Sequence, residues 1–321
     1  MKWSLAIHGG AGVIDKEEMG DHKGAEYQAG LKAALEIGGT ILGGGGSALD
    51  AVEITVRALE DNPLFNAGVG ASLTETGIAE LDAAIMDGAT KKAGAIAGVH
   101  FTKNPISLAR LVMDKTNRLF LIGEGADEFS KAQNLEQVGP EYFITELRQT
   151  QLKKWRARQL EKIQKSHLYG TVGAVAMDVN GNLAAATSTG GITGKQFGRV
   201  GDCPIIGAGT IAINGICAVS CTGTGEYFIR ESAARQIAER IRWNNQSVES
   251  AAYDTIMAIG EIGGDGGLIA MDAAGKAVFA LNDVGMYRGL VNSEIKAQTA
   301  IFHGEILKTI GKEARTSNEL H

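Results

Sequence analysis

The sequence predicts an α/β sandwich of antiparallel sheet covered by helices, and three observations carry that expectation. Paired apolar segments in the second half, 171–177 with 183–189, 205–213 with 216–222 and 268–271 with 277–281, are joined by short turns. These turns are Asp178-Val179-Asn180-Gly181, Asn214-Gly215 and Ala273-Ala274-Gly275, and two strand-like runs around such a turn form a hairpin. Between the hairpins, 225–240 and 248–262 have helical periodicity. Strand pairs followed by helices argue against a doubly wound parallel sheet, which alternates single strands with helices. The third observation is 44 glycines beside only four prolines. That is about twice the usual ~7% glycine, and it suits tight turns and close strand packing better than disorder.

Taken in order, 3–8 read as a buried strand ending in His8-Gly9-Gly10-Ala11-Gly12, and 24–41 as a helix. Ser47-Ala48-Leu49-Asp50 has the form of a capping box, opening a helix in which Val52, Val56 and Leu59 recur at spacings of four and three. Pro63 ends it, because the residue before a proline is pushed out of helical geometry. The runs 81–86, 93–99 and 119–122 are short, apolar and bounded by Gly or Asp, as strands buried on both faces are. From 146 to about 170 the character changes to a linker. Arg148, Lys153, Lys154, Arg156, Arg158, Lys162 and Lys165 stand there with little apolar material beyond Leu152, Trp155, Leu160 and Ile163. A solvated connector is favoured over a calmodulin-type or membrane-surface helix.

Bulk properties exclude several classes. With 44% hydrophobic and 21% charged residues among 321, the chain has the composition of a globular protein, and no run approaches the ~18 apolar residues of a membrane helix. A net charge of -6 without a dense basic stripe argues against nucleic acid. Cys203, Cys217 and Cys221 form no CxxC pair and no even-numbered framework, consistent with buried thiols in a reducing compartment. The first strand is too short for a signal-peptide core. The expectation is a cytoplasmic protein acting on a small molecule.

The common nucleophile and cofactor signatures are missing: no Gly-x-Ser-x-Gly, HExxH, P-loop or GxGxxG placed between strand and helix. The six histidines, His8, His22, His100, His167, His303 and His321, lack metal-ligand spacing, so each reads as structural or surface. What remains is a threonine at a strand start. A threonine hydroxyl needs a base within hydrogen-bond reach, and a free α-amine on the same residue is one. Its pKa of roughly 7.7 to 8.0 leaves it partly neutral at working pH. The residue must then become N-terminal by cleavage, and Gly170 before Thr171 tolerates the strained backbone that such a cut requires. Taken alone, threonine after glycine at a strand start is more often structural.

The neighbouring segments change that balance. Gly170-Thr171-Val172-Gly173-Ala174-Val175, Ala186-Thr187-Ser188-Thr189-Gly190-Gly191, Gly198-Arg199-Val200-Gly201-Asp202 and Cys221-Thr222-Gly223-Thr224-Gly225-Glu226 closely resemble the plant-type asparaginase/isoaspartyl peptidase family of N-terminal-nucleophile hydrolases. So do His8-Gly9-Gly10-Ala11-Gly12, the run from Pro63 through Asn66 to Gly70, Glu80-Leu81-Asp82-Ala83 and Met86-Asp87-Gly88. The motifs keep the family's order and cover all but the linker and the tail after about Ile301.

By this resemblance the fold is a four-layer αββα sandwich, autoprocessed into an α subunit of residues 1–170 and a β subunit of residues 171–321 that remain one intertwined domain, paired as an (αβ)2 heterotetramer. Thr171 is then the nucleophile for self-cleavage and turnover, and Thr189 the hydroxyl that holds it. Arg199 and Asp202 grip the substrate's α-carboxylate and α-ammonium. A guanidinium takes a carboxylate bidentately and a carboxylate pairs with an ammonium, although without the resemblance the pair reads as a surface ion pair. Thr222 and Gly223 form the oxyanion hole, which needs donors about 3 Å from the developing charge. Gly225 contacts substrate, and Asn66 supports the site. Leu59, Glu60, Asn62, Phe65, Ala67 and Val69 correspond to a loop that binds a structural sodium ion through main-chain carbonyls; catalysis itself needs no cofactor.

The implied reaction is hydrolysis of β-aspartyl dipeptides and of the L-asparagine side-chain amide through a threonine acyl-enzyme. Glycosylasparaginase and a threonine endopeptidase share the nucleophile, and a non-cleaving binding protein would share the fold. Absence of a signal peptide and disulfide pattern disfavours the first, the Arg199/Asp202 pair disfavours the second, and intact mass tests the third.

Overall fold

A computed structural model describes residues 2–12, 14, 16–160, 170–305, 307–309 and 312–313. The first half runs β1 (Ser4–Gly12), α1 (Lys16–Gly43), α2 (Ala48–Glu60), β2 (Leu81–Asp87), β3 (Ala93–Val99), α3 (Pro105–Lys115), β4 (Phe120–Ile122), α4 (Gly123–Ala132) and α5 (Glu146–Leu160). The second runs β5 (Val172–Met177), β6 (Leu183–Thr189), β7 (Thr210–Ile213), β8 (Cys217–Gly223), α6 (Gly225–Glu231), α7 (Ala233–Asn244), α8 (Val248–Glu261), β9 (Gly266–Asp272), β10 (Ala277–Leu281), β11 (Gly285–Asn292) and β12 (Gln298–Phe302).

The result is a mixed α/β fold with two main sheets and a two-stranded ribbon pairing Lys308–Thr309 with Lys312–Glu313. One has eight strands in the order β12-β11-β1-β5-β6-β2-β3-β4, the other four in the order β10-β9-β8-β7. All pairings between these strands are antiparallel except β3 with β4. The period-two geometry of a strand sends alternate residues to opposite faces, and both faces are apolar here. Leu5 and Ile7 of β1, with Ala174 and Ala176 of β5, join a core that includes Leu31, Leu35, Val52 and Val56 of α1 and α2. Ala6, Val175, Met177 and Leu183 join a second core with Val219, Ile269 and Met271 of the smaller sheet and with Ile237 and Ile256 of α7 and α8. Burial on both sides explains why β5 and β6 read as continuous apolar runs.

The Ser47 cap forms as the capping-box reading requires, its side chain accepting the Asp50 N–H at 3.1 Å. Other boundaries move. The first helix starts at Lys16 rather than near 24, with a break at Gly20 (φ 65°). The predicted helix 225–240 is two, divided at Ser232 in left-handed geometry (φ 49°). Of 205–213 only Thr210–Ile213 is strand. Helices α3 and α4 and strands β11 and β12 are additions to the elements read from the sequence.

The basic linker is corrected in part. Residues 146–160 form a helix with Arg148 and Leu152 buried, so this stretch is docked rather than a solvated connector. Arg148 donates to the carbonyl of Gly70 and, at 2.8 Å, to Gln151 Oε1, while Arg156 donates to the carbonyl of Glu75. A Cβ on Gly194 would stand 2.4 Å from the Trp155 ring. Helix α5 thus braces both the 63–75 loop and the 190–202 loop. The remainder of the linker, 161–169, lies outside the described residues, as does the end of the chain from 314.

Candidate active site

Thr171 stands immediately before β5, whose place in the middle of the large sheet fixes its backbone. It is 7% exposed, and its Oγ1 donates to Thr189 Oγ1 at 3.2 Å. Thr189, the last residue of β6, lies on the neighbouring strand, where β5 pairs Val172 with Ser188. The Thr189 hydroxyl donates to the Gly170 carbonyl at 3.0 Å and accepts the Gly191 N–H at 3.0 Å.

The same Gly170 carbonyl accepts Asn66 Nδ2 at 2.5 Å. That amide also donates to the Gly191 carbonyl at 2.7 Å, and its Oδ1 accepts the Ser72 N–H at 2.6 Å. Asn66 is 3% exposed. Two donors therefore converge on the carbonyl oxygen preceding Thr171, an arrangement able to stabilise negative charge on it.

A small polar pocket opens over this group. It is lined by Gly170, Thr171, Thr189, Arg199, Asp202 and Gly223, together with Gly191, Ile192, Gly201 and Cys203. Six residues singled out from the sequence are thus brought to one cavity. Thr222 sits behind Gly223 with no exposure; its Oγ1 accepts the Ala11 N–H at 3.3 Å, leaving its own hydrogen to donate. Gly225 is packed against Asp202, since a Cβ there would lie 2.9 Å from Asp202 Oδ1 and 2.8 Å from its N. Any larger residue would push the carboxylate aside.

Arg199 and Asp202 face the pocket but are not paired with each other. Arg199 donates to Glu226 through Nε (2.9 Å) and Nη2 (2.8 Å) in a bidentate fork. Glu226, missed in the sequence reading, is about half exposed. Asp202 Oδ2 is buried and without a hydrogen-bond partner among the described residues. Burial pushes the Asp202 carboxyl up to about 7, against the opposing pull of the Arg199 charge. A buried carboxyl lining a cavity is suited to receive a cationic group.

Behind the pocket wall, Lys195 is buried, donating to the Glu80 carbonyl at 2.8 Å with Asp82 Oδ2 at 4.0 Å. Cys203 is buried with its thiol against the Asp82 carbonyl at 3.6 Å, and burial raises its pKa. All three cysteines are free and buried. His8, read as structural or surface, is fully buried in contact with Thr171: its Nδ1 lies 2.9 Å from the Thr171 carbonyl oxygen. Only its place inside an apolar strand signalled that contact.

The carbonyl loop lies beside the site and carries Asn66. The carbonyls of Leu59, Asn62, Phe65 and Ala67 accept main-chain N–H groups at 3.3, 3.2, 3.0 and 3.1 Å, which leaves those of Asn62, Phe65 and Ala67 a second lone pair, while that of Leu59 also takes the Asp61 N–H. A Cβ on Gly68 would stand 2.3 Å from the Glu60 oxygen, and one on Gly70 2.1 Å from the Phe65 oxygen. The Glu60 side chain turns elsewhere, accepting the Ile106 N–H and the Ser188 hydroxyl, and burial pushes its carboxyl up to about 8. Among the described residues no group of three or more His, Cys, Asp or Glu could hold a metal, so a cation here would rest on main-chain oxygens, the donors a hard ion accepts.

Fold and site together define an α/β protein with a threonine pair and a small polar pocket where two central strands meet. A family model described as Asparaginase matches residues 1–301, and the chain belongs to the asparaginase family, which makes it a hydrolase. It is 48% identical to the isoaspartyl peptidase of Escherichia coli over 88% of this chain and 91% of the relative. It is 46% identical to that of Salmonella typhimurium over 88% and 93%, and 44% identical to the plant-type L-asparaginase of Thermococcus kodakarensis over 87% and 93%. No helix among the described residues is long and apolar enough to cross a membrane.

Proposed function

We propose that this chain is a threonine hydrolase that cuts itself between Gly170 and Thr171 and then hydrolyses β-aspartyl dipeptides and the side-chain amide of L-asparagine. The observation that carries the reading is the Thr171–Thr189 hydroxyl pair at 3.2 Å beneath a carbonyl held by Asn66 and Thr189.

In the first stage the Thr171 Oγ adds to the Gly170 carbonyl carbon, while Asn66 Nδ2 and the Thr189 hydroxyl stabilise the oxygen's growing charge. The C–N bond breaks, its nitrogen takes the proton that Thr171 Oγ gave up, and Gly170 is left as an ester on Thr171 Oγ. Water cleaves that ester, giving a Gly170 carboxylate and a free Thr171 amine.

In the second stage the amine removes the proton from Oγ, which attacks the β-carbonyl of a substrate. Arg199 holds the substrate's α-carboxylate, displacing or sharing with Glu226, and Asp202 holds its α-ammonium. The Gly223 N–H and the Thr222 hydroxyl receive the oxyanion. The leaving amine or ammonia departs with a proton, and water releases aspartate from the acyl-enzyme.

The reading includes a four-layer αββα arrangement, subunits of residues 1–170 and 171–321, an (αβ)2 assembly and a cytoplasmic location. The main-chain carbonyls of Leu59, Glu60, Asn62, Phe65, Ala67 and Val69 would hold a structural sodium ion that stiffens the loop bearing Asn66. Support comes from the names of the relatives and from the six matched residues lining one pocket.

Intact mass and peptide turnover test it. The 33.6 kDa chain should resolve into pieces of about 18 and 16 kDa, in proportion to 170 and 151 residues, the smaller beginning Thr-Val-Gly. Thr171→Ala should stay one chain without activity, and an active Thr171→Ala enzyme refutes the assignment.

A further inference from the structure

We infer that His8 is a positioning residue for Thr171, holding the nucleophile by its carbonyl through a fixed imidazole tautomer that Ser220 enforces. The inference rests on the threonine-nucleophile reading and assigns a role to the one buried imidazole among the described residues, which the mechanism above leaves unused.

The geometry fixes the hydrogens. The Thr171 carbonyl oxygen, 2.9 Å from His8 Nδ1, only accepts, so Nδ1 carries the proton. Burial drives the imidazole pKa down to about 3, so the ring is neutral at working pH and Nε2 is an acceptor. The Ser220 hydroxyl at 2.8 Å must therefore donate to Nε2. With its hydrogen so committed, Ser220 Oγ accepts from Thr187 Oγ1 at 2.7 Å, and Thr187 in turn accepts from Thr210 Oγ1 at 2.6 Å. Thr210 Oγ1 also lies 3.1 Å from the Cys203 carbonyl, next to Asp202. Ser220, Thr187 and Thr210 have no exposure at all. A fully buried chain of hydrogen bonds with one polarity thus runs from Thr210 to the nucleophile's backbone, through β7, β6, β8 and β1.

Two glycines make room for it. A Cβ on Gly173 would stand 2.0 Å from Ser220 Oγ and 2.4 Å from His8 Nε2. Gly10, at φ 112°, brings β1 so close that its Cβ position lies 2.9 Å from Gly170 Cα, and the β1 register shifts between His8 and Gly10. That bulge lets the His8 side chain face the Thr171 carbonyl.

Cutting before Thr171 removes the covalent tether on its N-terminal side and leaves it one residue outside β5. The carbonyl bond from His8 and the hydroxyl bond to Thr189 then determine where Oγ sits. Misplacing a reacting atom by about 1 Å costs about 10²-fold in rate, without changing how Arg199 and Asp202 bind substrate.

The test combines histidine-selective 15N NMR with steady-state kinetics. In the wild-type protein the His8 resonance should report a protonated Nδ1 and a bare Nε2, and Ser220→Ala should shift it toward the opposite tautomer. Ser220→Ala should lower kcat about fivefold, the weight of one neutral hydrogen bond, with KM unchanged. His8→Leu should lower kcat about 10²-fold, and His8→Asn, whose amide nitrogen can replace Nδ1, should recover part of it. Should His8→Leu fail to fold, the Ser220→Ala kinetics decide. A wild-type His8 protonated at Nε2, or Ser220→Ala with wild-type kcat, overturns the proposal. Its failure is separable from that of the parent reading, because only an active Thr171→Ala enzyme removes the nucleophile itself.

Discussion

Replacing Asn66 should slow self-cleavage more than any other change outside Thr171 and Thr189. Its side chain makes three hydrogen bonds, to the carbonyls of Gly170 and Gly191 and from the N–H of Ser72, at 2.5 to 2.7 Å. Asn66→Ala leaves the Gly191 oxygen and the Ser72 nitrogen without it, at about 1–3 kcal/mol of stability each for an unsatisfied buried group. The Gly170 oxygen keeps Thr189, but loss of one donor to a developing oxyanion costs roughly 3–4 kcal/mol of barrier, or about 10²–10³ in rate. Asn66→Asp keeps an acceptor for Ser72 but turns a buried carboxylate oxygen toward both carbonyls, so it should fold no better than Asn66→Ala and also cleave slowly. The assay is a time course of intact mass from freshly purified precursor, with circular dichroism and thermal melting on the same samples. A folded Asn66→Ala protein cleaved at the wild-type rate would refute the idea that this amide activates the scissile carbonyl.

Two further outcomes follow from the pocket. Arg199→Leu should raise KM for isoaspartyl dipeptides and asparagine while leaving processing intact, because self-cleavage involves no bound zwitterion; an unprocessed Arg199→Leu protein would contradict this. Asp202, held up to about 7 by burial, binds an ammonium only when ionised. The competent fraction grows as pH rises through about 7 and is lost below it, so kcat/KM should carry an acid limb near 7. A flat kcat/KM profile from pH 6 to 8 would sink that assignment.

Much of this was legible in the sequence because it was local. The turns at Asn180-Gly181 and Asn214-Gly215 join the hairpins they predict, and the Ser47 cap is as written. The threonines, Arg199, Asp202 and the glycine turn were legible only as a set, through family resemblance. Strands β11 and β12 were missed because Gly285, Gly289 and Asn292 interrupt the apolar pattern, and β11 is stabilised by pairing with β1, more than 270 residues distant. Arg148 read as part of a charged run because nothing in its own segment reveals the loop carbonyls that receive it. Likewise, the partners of His8 lie 163 and 212 positions away, and Glu226 was quoted in a motif without its claim on Arg199 being visible.

If the chain is cut before Thr171 as proposed, the strand order of the large sheet explains why the two subunits would start as one chain. Strands from before residue 170 and strands from after it are interdigitated: β1 lies between β11 and β5, and β2 lies beside β6. A gene could encode residues 171–321 separately and deliver a threonine at the front with no cut. Such a fragment would emerge with the edges of β5, β6 and β11 unsatisfied, an invitation to aggregate. On the self-cleavage proposed above, building the sheet first and opening the backbone afterwards would give a reactive amine inside an already closed interior, and would leave the two products unable to separate without unravelling the sheet.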